Sequence, residues 1–165
     1  MYIEFYTRSG MPDKGEKMSF QEKQAIASVF STVLASIVYF RDVFNRLVEG
    51  GPSLASDLRF WGTVFLIYIP VFIVFNIVIH IIVSILNTVA TREQEPAITD
   101  ELDRMVAFRA DRNFFTVFGA GFMLSMLALA VGQPVYVMFI VMLFTILTAG
   151  VTEGVSQFIL YRRGF

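Results

Sequence analysis

The chain has 165 residues, of which 56% are hydrophobic, 15% aromatic and only 16% charged. A soluble domain uses about 25% charged residues to cover its surface, so this composition excludes an ordinary soluble domain. The net charge of −1 comes with no basic patch for nucleic acid, and the lack of cysteine removes disulfides, thiolate nucleophiles and cysteine-ligated zinc or iron–sulfur centres.

Residues 1–18 are polar, contain Gly10, Pro12 and Gly15, and lack the apolar core of about 7–15 residues found in a secretory signal. They read as a mobile tail, and the first 17 also as an extension upstream of an alternative start at Met18. Ser19 and Glu22 have the spacing of a capping box that opens the first helix. A membrane-crossing helix needs about 20 mainly apolar residues, and four segments qualify: about 24–40, 60–89, 114–131 and 135–160. No alternating pattern of a barrel strand occurs, so helices must satisfy the backbone in lipid. Residues 19–165 therefore read as one all-α domain, a four-transmembrane-helix up-down bundle.

The linkers differ in kind. After the first span, Gly50-Gly51-Pro52 breaks the helix, and Val43, Phe44, Leu47 and Val48 before it suit a short amphipathic helix on the membrane surface. Pro70 is expected to put a static bend in the second span. Before the third span, Thr99 has the chemistry of an N-cap, with Asp100, Glu101 and Asp103 placed to complement the helix dipole. One helix from there to about Val131 would measure ~48 Å against a hydrocarbon core of ~30 Å, so its first third is expected to project into the cytoplasm. The outer link Gly132-Gln133-Pro134 carries no charge. Ten Lys and Arg residues fall with the two termini and the 92–112 segment, and only Arg41, Arg46 and Arg59 fall on the other side. By the positive-inside rule both termini are cytoplasmic. Tyr39, Phe40, Trp61 and Tyr136 then fall at the outer headgroup level, and Tyr161 and Phe165 at the inner one.

Three short motifs carry a resemblance. Met18-Ser19-Phe20-Gln21-Glu22-Lys23, the turn Thr99-Asp100-Glu101-Leu102-Asp103-Arg104 and the close Tyr161-Arg162-Arg163-Gly164-Phe165 resemble small bacterial four-helix membrane proteins of unknown function. Leu102 stands where that family's Asp-Glu-Arg-Asp turn has arginine. The resemblance covers roughly residues 18–165; it implies a bacterial inner membrane and the same fold, and no activity.

Polar residues inside the spans are the candidate site. His80, the only histidine, shares a helical stripe with Asn76, Ser84 and Asn87, and Glu153 is followed one turn later by Gln157. Counted from the arginines at the ends of their helices, His80 and Glu153 stand at similar depth in the cytoplasmic half. A charged carboxylate in hydrocarbon costs about 2.5–3.5 kcal/mol on insertion scales, so such groups face protein or water. The layer reads as interhelical hydrogen-bonding glue, as a proton or ion site, or as a small-ligand or lipid pocket. One histidine per chain is too few for haem without a second copy, and His80 with Glu153 leaves zinc short of ligands. Gly121 with Ser125 and Gly150 with Gly154 have the spacing of close helix packing, expected within the chain. On the cytoplasmic start of the third helix, Asp103, Arg104, Phe108 and Arg109 form a candidate docking surface. No nucleophile–base pair, phosphate loop, metal constellation or cofactor motif is legible. The expected function is therefore non-enzymatic, an accessory or scaffold subunit in contact with lipid and with itself or another membrane protein. The alternative is a channel or transporter subunit using His80 and Glu153.

Overall fold

A computed structural model describes residues 19–91 and 101–163. The expectations for the N-terminal tail, for Thr99 and Asp100 and for Phe165 lie outside the described residues, as does the side chain of Asn87. The described chain folds into four helices: α1 (Phe20–Ala55), α2 (Leu58–Thr91), α3 (Glu101–Ala130) and α4 (Val135–Arg163). Each is long and apolar enough to cross a membrane. At 1.5 Å per residue all four exceed ~40 Å, so α3 is not singled out by its length.

Local chemistry explains the ends. Ser19 Oγ accepts from the Glu22 backbone N–H at 3.1 Å and the Ser19 N–H donates to the Glu22 carboxylate at 2.9 Å, which satisfies two orphan donors of α1. The expected break is a single residue: Gly51 takes φ 61° and ψ −159°, a conformation open to glycine, and Pro52 starts the next turn. The separate surface helix expected at residues 43–48 does not form. Val43, Phe44 and Leu47 continue the helical phase of Tyr39 and Phe40, so α1 runs on unbroken to Gly50 and carries them into the core. Gly132, at φ 81°, closes α3: its N–H reaches Leu129 O and the Gln133 N–H reaches Ala128 O, both at 3.0 Å, a Schellman cap.

The helices form a row in the order α2, α1, α4, α3, in which α2 packs on α1 and makes no comparable interface with α3 or α4. At every interface the paired residues run in opposite senses. Ser36 and Tyr39 meet Tyr68 and Val64, Thr32 and Val29 face Gly150 and Gly154, and Asp103, Asn113 and Gly121 meet Tyr161, Ser156 and Thr145.

The apolar core lies at one end, where the second half of α1 meets the first halves of α2 and α4. Tyr39, Phe40, Val43, Trp61, Val64, Tyr68 and Leu143 are buried there. Trp61 is fully buried, stacks on Phe139 at 5.2 Å and donates its indole N–H to Ala55 O at 2.9 Å. The rings of Tyr39, Phe40 and Trp61, expected at the outer headgroup level, fill the space between helices. Tyr136, 38% exposed, is the outward-facing member of that set.

Along the other half of the row, small residues replace aromatic ones. A Cβ on Gly154 would stand 3.3 Å from the Val29 backbone nitrogen and 3.4 Å from Ala25 O, so the two backbones nearly touch. A Cβ on Gly150 would stand 3.0 Å from the Thr32 methyl, and Gly121 is capped by the Thr145 side chain. These glycines thus serve packing within the chain.

Candidate functional site

The polar residues of α2 and α4 occupy the end of the row away from the aromatic core. Asn76, His80, Ser84, Glu153 and Gln157 are all half-buried. On α2, the half-buried positions recur as pairs one turn apart, Phe72 then Phe75 and Asn76, Ile79 and His80, Val83 and Ser84, while the residues between them are exposed. Every fully buried residue of α2 (Trp61, Val64, Tyr68) precedes Pro70, so this half of the helix borders the bundle without being enclosed by it.

The side chains do not converge. Asn76 donates to Phe72 O on its own helix at 2.9 Å, and Gln157 donates to Glu153 Oε1 at a long 3.4 Å. Among the described residues His80 has no hydrogen-bond partner, and nothing joins it to Glu153. Helix register shows why. Continuing the Ser36–Tyr68 pairing down the antiparallel helices brings His80 level with Lys23 and Gln24, whereas Glu153 lies level with Val29. The two are offset by about 8 Å along the axis, and α2 reaches α4 through Trp61 and Phe65, whose rings meet Phe139 at the far end. Counting residues from the terminal arginines missed this offset because it carries no information on how far each helix slides along its neighbour.

Most other polar groups of the helices are tied off. Tyr39 Oη donates to Val64 O at 2.6 Å, Ser36 Oγ and Tyr68 Oη share a hydrogen bond at 3.0 Å, and the buried Ser125 and Thr145, the half-buried Thr152 and the exposed Thr148 bond carbonyls of their own helices. Ser31 Oγ is fully buried without a partner. Among the described residues no three His, Asp or Glu side chains gather where a metal could be held. The chain matches no known family model, and neither a characterised protein nor a solved structure is similar to it.

The structure divides the surface expected at the start of α3. Asp103 turns to α4 and accepts from Tyr161 Oη at 3.0 Å, while Val106 and Ala110 pack on α4 as well. Arg104, Phe108 and Arg109 point away from the row and, with Glu101 and Met105, line an open recess of about 600 Å³. Phe108 is 73% exposed. Glu101 belongs to this recess and was read in the sequence only as part of the acidic first turn.

Proposed function

We propose that this is a non-enzymatic integral membrane protein of the bacterial inner membrane, an accessory or scaffold subunit of the small four-helix kind its motifs resemble. The observation that carries this reading is the inversion of polarity. Leu66, Val89, Met123 and Phe115 are 67–75% exposed on the outer faces, while Ser36 and Tyr68 bond each other in the buried interior and Tyr161 bonds the half-buried Asp103 between α4 and α3. Soluble proteins rarely leave so much contiguous apolar surface in water, whereas a bilayer covers it. In that frame the helices run up and down, the positive-inside rule sets both termini in the cytoplasm, the aromatic core lies in the outer half, and α3 begins on the cytoplasmic side with its exposed turn as the contact surface.

Single cysteines test this cleanly, because the natural chain has none. In intact cells, Ser53→Cys and Gln133→Cys react with an impermeant maleimide, whereas Ser19→Cys and Arg163→Cys react only after permeabilisation. Equal labelling of all four sites refutes the topology.

A second reading, a proton or ion pathway, draws support from Glu153, a carboxyl in an apolar helix whose side-chain hydrogen bond from Gln157 is 3.4 Å long. Proteoliposome flux that is abolished by Glu153→Gln and His80→Ala supports it; no flux from the natural chain removes it.

A further inference from the structure

We propose that the crevice between α1 and α2 at the aromatic end binds a glycerophospholipid with a primary ammonium headgroup, such as phosphatidylethanolamine. The ammonium enters the crevice beside Asp42, and the phosphodiester lies on Arg46. The proposal rests on the membrane reading above and adds a ligand to it.

The crevice holds about 60 Å³ beside the buried Val43 and Val64, and its polar lining is Tyr39, Asp42, Arg46 and Thr63. All its lining residues fall within residues 39–67, the stretch that joins α1 to α2. Three acceptors meet there. Tyr39 Oη donates to Val64 O at 2.6 Å and Thr63 Oγ donates to Arg59 O at 2.9 Å, so each keeps lone pairs for an incoming donor. Asp42 gives Oδ2 to Arg46 Nε at 2.8 Å and keeps Oδ1. A primary ammonium brings three N–H donors to such a site, whereas a quaternary ammonium brings none and needs more room. Phe60 lines the same crevice and adds an aromatic ring, a further partner for a cation.

The phosphodiester follows from the other half of the ion pair. Arg46 meets Asp42 through Nε, which leaves its terminal amino groups for phosphate oxygens. Both side chains are more than half exposed, 62% for Arg46 and 55% for Asp42, so a ligand reaches them. Their contact sets opposite charges side by side, and a zwitterionic headgroup answers each with its opposite. An anionic headgroup without an ammonium would instead set its phosphate near a carboxylate that it cannot pair. Toward the membrane interior, Val38 stands one turn from Asp42 on α1, and Ile67 and Val74 follow Thr63 along one face of α2. They are 51%, 44% and 57% exposed and form an apolar seam for acyl chains, which a free amine would not use.

The test uses the full chain purified in detergent, with native mass spectrometry after adding phosphatidylethanolamine, phosphatidylcholine or phosphatidylglycerol. Phosphatidylethanolamine is expected to bind about tenfold or more tightly than either of the others, as the added charge-assisted hydrogen bonds imply. Asp42→Asn should bring it down to the level of phosphatidylglycerol while leaving phosphatidylglycerol no weaker. Arg46→Gln should weaken all three, because each carries the phosphodiester. A damaged fold would not give this crossed pattern. Glu49→Gln, exposed on α1 but outside the crevice, should leave binding unchanged. Equal binding of the three lipids, or a preference that survives Asp42→Asn, overturns the proposal, as does full competition by soluble phosphoethanolamine, which would mark a free-zwitterion site. Carbonate extraction of cell membranes separates the two levels of failure: a chain released by carbonate sinks the membrane reading itself, whereas a retained chain without lipid preference sinks only the crevice.

Discussion

Gly154 gives the sharpest energetic test of the packing. A methyl there would stand 2.6 Å from Val29 Cγ2, with the Val29 nitrogen and Ala25 carbonyl at 3.3 and 3.4 Å behind it. Valine is stiff about χ1 and cannot swing its methyl away freely, so α1 and α4 must separate. Overpacking of this kind costs about 1–3 kcal/mol. The better helix propensity of alanine returns about 0.8–1.0 kcal/mol, so Gly154→Ala should destabilise by about 1 kcal/mol, and by up to about 2. Gly119 provides the control: an added methyl meets nothing within 4 Å, so Gly119→Ala keeps the propensity gain without a clash. The two variants should differ by about 2 kcal/mol in an SDS titration from mild detergent, followed by helical circular dichroism. Adding Val29→Ala to Gly154→Ala removes the nearest clash and should recover most of the loss, a coupling that a double-mutant cycle measures. Gly154→Ala as stable as the natural chain, or moving in step with Gly119→Ala, would show that the α1–α4 backbones are not in contact.

The same titration checks three further expectations. Tyr68→Phe strands the buried Ser36 hydroxyl and should cost about 0.5–1.5 kcal/mol; Ser36→Ala with Tyr68→Phe should cost less than the two single changes added together. Trp61→Ala empties a fully enclosed site beside Phe139 and should cost about 3–5 kcal/mol; in the natural chain its emission should shift to the red as the core opens. Gly132→Ala forces an alanine to φ 81° in the α3 cap and should lose about 1–2 kcal/mol, unlike the same change at Gly119.

Much of the architecture was legible in the residues. Apolar runs separated by polar turns determine four helices, and the capping box at Ser19 and Glu22 forms as its spacing requires, because backbone donors at a helix start have few other partners. The break falls at Gly51 for an equally local reason. What failed depends on neighbours. Residues 43–48 resemble a surface helix when viewed alone, but in continuous phase with Tyr39 and Phe40 their Val43, Phe44 and Leu47 belong to the buried face of α1, and Val48 stays on its outer side, 83% exposed. An aromatic residue near the end of a span favours headgroups on average, yet Trp61 finds a ring and a carbonyl within the bundle and is enclosed. The polar layer failed in the same way: Asn76, His80 and Ser84 share a stripe, as their spacing dictates, but α2 meets the helix carrying Glu153 at the aromatic end, away from His80. On α3, Arg104, Phe108 and Arg109 are exposed as their helical phase requires; the turning of Asp103 toward Tyr161 is a tertiary contact that no local pattern encodes.

The row of helices also has a consequence for biogenesis. Its central joint is between α1 and α4, two helices far apart along the chain. Thr32 leaves the ribosome roughly 120 residues ahead of Gly150, its partner, a wait of about 6–24 s at typical elongation rates. Until then the nascent α1–α2 hairpin must shield an unmated seam of alanine, serine and threonine, held together only from its aromatic end. Chains halted before α4 should therefore be recognised by cellular quality control as incomplete, even though three of the four described helices are already made.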